Sequence, residues 1–120
     1  MKKILVVDDD TDIRETVAQA LTEDGYEVRM ATNGKDALAK LSSMTGDEPA
    51  LMLLDLTMPV MTGTELLGVL LSQGRLPNLP IIVFSSCAHE AEGLGARRLM
   101  RKPVTLETLL STVHEVCGRA

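Results

Sequence analysis

Tryptophan is absent, and Tyr26 and Phe84 are the only aromatic side chains. A platform for stacking nucleic-acid bases therefore has nothing to stack with, and the core has to be aliphatic. Cysteine and histidine are as scarce. Cys87 and Cys117 lack CxxC spacing and His89 and His114 stand in unrelated contexts, which excludes a zinc cluster and a disulfide framework. Long apolar runs are missing too: after Met1-Lys2-Lys3 only four apolar residues precede three aspartates, far short of a signal-peptide core or a membrane span. Nor is there an excess of positive charge. Seventeen acids against twelve bases leave a net charge of −5, which disfavours a phosphate-backbone surface. These absences point to a reducing cytoplasm, with no membrane contact and no direct nucleic-acid partner.

What is present is the making of one compact domain. The 120 residues are 45% hydrophobic and 24% charged, with a mean hydropathy of +0.12, and residues 1–120 read as a single unit without linker or repeat. Ile4–Val7 and Ala50–Leu54 are continuous apolar runs, as expected of strands buried on both faces, and each ends in aspartate. Tyr26–Ala31 suits an edge strand, Pro80–Phe84 a fourth strand, and Leu99–Arg101 a short fifth. Helical stripes lie between them: Ile13, Val17, Ala20 and Leu21; then Ala37, Leu38 and Leu41; then Leu66, Leu67, Leu70 and Leu71; and finally Leu106, Leu109, Leu110, Val113 and Val116. Strand and helix alternate throughout, which predicts a doubly wound α/β fold with a parallel sheet. One position breaks the rhythm. Between Cys87 and Leu94 there is room for no more than one or two helical turns.

In such sheets the ligand crevice lies beyond the carboxyl ends of the strands. Those ends carry Asp8 and Asp9, Asp55, Ser85 with Ser86, and Lys102. Adjacent strands run about 4.8 Å apart, so three carboxylates on neighbouring strands repel unless a cation joins them. Oxygen donors without histidine or cysteine suit Mg²⁺. Asp55 is then a candidate carboxylate nucleophile for a phosphoryl group, Lys102 a candidate counter-charge and Ser85, in preference to Ser86, a candidate hydroxyl donor. Asp10 and Asp12 have the simpler explanation of a helix cap and first turn.

Taken in order, Val6-Val7-Asp8-Asp9, Leu54-Asp55-Leu56-Thr57-Met58-Pro59 with Gly63, Ser85 after Pro80–Phe84, and Lys102-Pro103 resemble the receiver domain of two-component response regulators, the CheY-like family, along the full chain. The resemblance implies a flavodoxin-like five-stranded sheet of order 2-1-3-4-5 and a cis peptide before Pro103. It implies that Asp55 takes phosphate from a histidine kinase or phosphotransfer protein. It also implies that Asp9, Asp55 and the Thr57 carbonyl bind Mg²⁺, with Asp8 joining through water, and that Ser85 and Lys102 hold the phosphoryl group. The downstream protein target is unidentified, and the expected state is a monomer or weak dimer acting as a stand-alone module.

Three departures from the family pattern stand out. Leu99 occupies the place of an aromatic switch residue, the segment after Ser85 is a few residues short, and Val104 replaces a frequent Phe. They motivate a rival reading, a phosphorylation-independent interaction module on a degenerate site. An aspartate-nucleophile phosphatase is a weaker rival, because Thr57 stands where that chemistry wants a second acid. The bland readings of the remaining features are solvated histidines, methionines 52, 58, 61 and 100 filling gaps left by missing aromatics, Cys87 as a small residue near the pocket mouth, and arginines 97, 98 and 101 as a guard on the sheet edge or a partner patch.

Overall fold

The computed structural model describes residues 1–119. Its strands are β1 (Lys3–Val7), β2 (Glu27–Ala31), β3 (Leu51–Leu54), β4 (Ile81–Ser85) and β5 (Arg98–Arg101), all parallel in the order β2-β1-β3-β4-β5. Four helices connect or follow them: α1 (Thr11–Glu23), α2 (Gly34–Ser43), α3 (Gly63–Ser72) and α4 (Leu106–Cys117). This is the doubly wound arrangement expected from the sequence.

Strand alternation divides the core into two layers, one on each face of the sheet. Leu5, Val7, Met52, Leu54, Ile81 and Val83 pack toward α2 and α3 with Leu41, Leu66, Leu67 and Leu70. Ile4, Val6, Leu51, Leu53 and Ile82 face the opposite way, toward α1 and α4, against Val17, Leu21, Leu109 and Val113. Met52 and Met58 are buried, as gap-filling residues should be.

Each helix starts on a side-chain cap that satisfies otherwise unpaired N–H groups. Asp10 accepts from the Ile13 N–H, Asn33 from Asp36, Thr62 from Glu65 in a reciprocal capping box, and Thr105 from Thr108. Asp10 thus has the capping role, which leaves Asp8 and Asp9 for other work.

Between β4 and β5 the crossover holds only a single 3₁₀ turn, Ala88–Ala91, so the shortened segment carries no α-helix. The turn buries only the small side chains Ala88 and Ala91, and Leu99 on β5 is left 38% exposed.

Several sequence expectations need correction. Tyr26 precedes β2 rather than opening it: its N–H bonds to the Leu21 carbonyl in the turn after α1, and its ring is buried. Ala18, not Ala20, is the buried alanine of α1, and Leu71 and Leu106 are exposed because they lie at the edges of their helical stripes. His114 is not solvent-facing. Its Nε2 lies 2.5 Å from Asp24 Oδ2 and its ring stacks on Tyr26 at 6.3 Å, while His89 is exposed as expected.

Candidate functional site

Parallel register fixes the site. Val7 pairs with Leu54, so the residues that follow, Asp8 and Asp55, leave the sheet side by side at its carboxyl edge. The Asp55 N–H donates to the Val7 carbonyl over 3.0 Å, which locks the two exits together. On the next pair, Ser85 aligns with Arg101, and the Lys102 N–H donates to the Ser85 carbonyl over 3.1 Å. Lys102 is therefore delivered to the same rim, and the peptide that follows it, Lys102-Pro103, is cis as the family resemblance implied.

Three polar side chains at this rim are buried: Asp8 at 3% exposure, Asp55 at 8% and Ser85 at 0%. Lys102 Nζ lies 2.9 Å from Asp8 Oδ2 and 3.8 Å from Asp55 Oδ1. Burial pushes the Asp55 carboxyl above its ordinary pKa; the Asp8 charge adds to that, while the Ser85 hydroxyl and the Lys102 ammonium oppose it. Asp8 is further held by the Asp10 N–H, which donates to its Oδ1 over 2.9 Å.

One carboxylate oxygen from each of Asp8, Asp9 and Asp55 lies within 4.8 Å of the other two, and Asp9 is exposed at the open side. This donor set is hard oxygen only. It fits Mg²⁺ in chemistry and in its excess of negative charge, an ion that usually keeps waters or phosphate among its ligands. Thr57 follows on the β3 exit loop, two residues beyond Asp55, with its side chain exposed.

The structure thus places Asp8, Asp9, Asp55 and Lys102 together at this rim, with Ser85 buried at the end of β4 and Ser86 exposed. It also shows neighbours that sequence reasoning gave no role. Arg14 Nη1 donates to the Asp8 carbonyl over 2.7 Å, bracing the β1 exit from one turn into α1. The Phe84 ring lies beneath the Lys102 ammonium, 4.9 Å from its centroid, a cation–π contact that helps aim the amine. Cys87 is closer to the site than a mere small residue at the mouth: its Sγ is 3.4 Å from Ser85 Oγ and 3.3 Å from Thr57 Oγ1. No spacing rule signals Arg14 or Phe84. Cys87, two positions after Ser85, was expected from that spacing to lie near the pocket mouth.

A family model described as the response regulator receiver domain matches residues 4–114. The chain belongs to the response regulator receiver domain family. Among curated relatives, the response regulator MprA of Mycolicibacterium vanbaalenii is 37% identical over 122 residues, a match covering 98% of this chain and 51% of the relative. This receiver domain thus spans about half the length of the curated relatives it matches. The chemotaxis response regulator CheY4 of Vibrio cholerae superposes with a TM-score of 0.85 at 35% identity, over 97% of this chain and 98% of that one. The response regulator TrrA of Thermotoga maritima, solved in complex with Mg(2+)-BeF, superposes with a TM-score of 0.81 at 31% identity, over 97% and 99% of the two chains. Among the described residues, no helix of the receiver domain is long and apolar enough to cross a membrane.

Proposed function

We propose that this receiver domain accepts a phosphoryl group on Asp55 from a phosphohistidine donor, in a Mg²⁺-dependent reaction, and that the product alters its binding to another protein in the cytoplasm. The observation that carries the reading is the convergence of Asp55, Asp8, Ser85 and Lys102, from four strand ends, on one rim.

An Asp55 carboxylate oxygen attacks phosphorus, an O–P bond forms, and the P–N bond to the donor imidazole breaks with the nitrogen leaving. Asp8, Asp9, Asp55 and the Thr57 carbonyl would hold Mg²⁺, which when bound neutralises charge on the phosphoryl oxygens. Lys102 balances the negative charge that gathers on the transferred group, and its position is fixed beforehand by Asp8 and Phe84. Ser85, fully buried at the end of β4, donates its hydroxyl to a phosphoryl oxygen and draws its loop inward. An intact acid, alcohol and amine set argues against a vestigial interaction module, and Thr57 in place of a second acid argues against turnover of phosphate esters.

The test is incubation with acetyl phosphate and Mg²⁺, followed by intact-protein mass. One phosphoryl mass is expected and should disappear on chelation of Mg²⁺; no gain at any concentration contradicts the proposal.

A further inference from the structure

The three carboxylates at the rim are not held equally. Asp8 is bonded through its N–H, which donates to the Ala31 carbonyl over 3.1 Å, and through both carboxylate oxygens, which accept from the Asp10 N–H and from Lys102 Nζ over 2.9 Å each. Asp55 is buried, and its N–H is bonded to the Val7 carbonyl. Asp9 is different. It is exposed, and among the described residues its carboxylate takes part in no hydrogen bond and no ion pair, although one of its oxygens lies within 4.8 Å of oxygens of the other two. The place of that carboxylate is therefore set by the backbone that carries it, which begins with the Asp8–Asp9 peptide.

That peptide is fastened by a side chain from α1. Its carbonyl oxygen, that of Asp8, accepts from Arg14 Nη1 over 2.7 Å, a short hydrogen bond with a charged donor. Arg14 is half-buried, its own N–H donates to the Asp10 carbonyl over 2.9 Å, and the helix that carries it is rooted in the core through Val17, Ala18 and Leu21. A guanidinium is a planar, rigid donor, so the helix sets the direction of the Asp8 carbonyl and with it the start of Asp9.

Charge alone would make Arg14 a hindrance to a cation at this rim, because like charges repel. A fastener that keeps the loosest of three donors in place has the opposite effect, since it removes part of the ordering cost of binding. The contacts favour the second role: Arg14 bonds to a carbonyl and, among the described residues, forms no ion pair with Asp8, Asp9 or Asp55. We infer that Arg14 is a positioning residue for Mg²⁺, which by holding the Asp8–Asp9 peptide keeps the Asp9 carboxylate beside those of Asp8 and Asp55. The inference rests on the Mg²⁺-dependent phosphoacceptor reading above.

The test titrates Mg²⁺ alone, by calorimetry, into the parent protein and into Arg14→Met, which keeps an unbranched stem and has no donor. The Kd should rise about tenfold, the lower end of what losing a partner behind a metal ligand costs. Arg14→Lys, which keeps a charge and a donor, should lie between the two. In acetyl-phosphate labelling, the Mg²⁺ concentration giving half the maximal rate should rise by the same factor, and excess Mg²⁺ should recover the loss. An unchanged Kd overturns the inference, since a purely structural role would lower the thermal midpoint only. A lower Kd overturns it too, being the sign that charge alone gives, as does weaker binding by Arg14→Lys than by Arg14→Met, or a parent that binds no Mg²⁺. Arg14→Ala carries the same expectation if the Met variant does not fold. A parent that binds Mg²⁺ and is not labelled by acetyl phosphate overturns the phosphoacceptor reading instead, and the Kd values still decide the role of Arg14.

Discussion

The ammonium of Lys102 is bonded to Asp8, at 2.9 Å, and stands 3.8 Å from Asp55. The amine is therefore committed to Asp8, and the proposed transfer to Asp55 would give it a second and stronger anionic neighbour. Lys102→Ala removes the partner of a carboxylate that is nearly fully buried, and leaving such a charge uncompensated costs about 3 kcal/mol. Chemical denaturation should report a loss of that order, and acetyl-phosphate labelling should slow by about two orders of magnitude, the scale for one charge-stabilising donor. A stable, fully active variant would contradict this role.

Asp55 makes the opposite contribution to stability. Its pKa in the folded domain is raised, chiefly by burial, so the folded state holds that proton more tightly than the unfolded state does. The stability associated with the protonated form is present below the ordinary aspartate pKa and is lost as pH rises through the folded value. At neutral pH the ionised Asp55 is therefore a destabilising group. Asp55→Asn should raise the thermal midpoint at pH 7 by a few degrees, about 4 °C per kcal/mol, and the gain should vanish toward pH 3. An equal gain at both pH values would contradict the assignment.

Tyr26 closes the far end of the molecule. Its hydroxyl donates to the Gly118 carbonyl over 2.7 Å, and burial first, then the charges of Cys117 and Asp24, push its pKa up to about 12. Because the folded pKa is raised, the stabilisation is complete below pH 10 and is lost as pH climbs from there toward 12. Tyr26→Phe should cost about 1 kcal/mol at neutral pH and should flatten the alkaline limb of the stability profile. A parent protein with no such limb would contradict this account.

Leu99 replaces the aromatic residue that the family resemblance leads one to expect, and a leucine has no polar ring tip to swing inward. Addition of beryllofluoride and Mg²⁺ should therefore shift amide resonances around Ser85–Cys87 and in the loop from Thr57 to Met61 strongly, and those of α4 weakly. Equally large shifts along α4 would show that coupling to the last helix survives without the ring.

Much of this was legible in the sequence because the parallel sheet makes it so. Continuous apolar strands ending abruptly in Asp8, Asp55, Ser85 and Lys102 can only place those residues at one edge once the crossovers share a hand. The missing helix was legible as a shortage of residues after Ser85. The contacts of Arg14 and Phe84 were not, since they depend on side-chain direction across different elements. His114 was misread for the same reason: its partner, Asp24, is on a different helix end, ninety residues away. The positive φ of Val60, +68°, was hidden because valine's own backbone preference gives no sign of it.

The most direct test of the central claim is to locate the phosphoryl group. After labelling with acetyl phosphate and Mg²⁺, borohydride reduction converts an aspartyl phosphate to homoserine, and peptide mass mapping finds the altered residue. The account predicts homoserine at position 55 and none in Asp55→Asn. Modification at Asp8 or Asp9 instead, or undiminished labelling of Asp55→Asn, would contradict it.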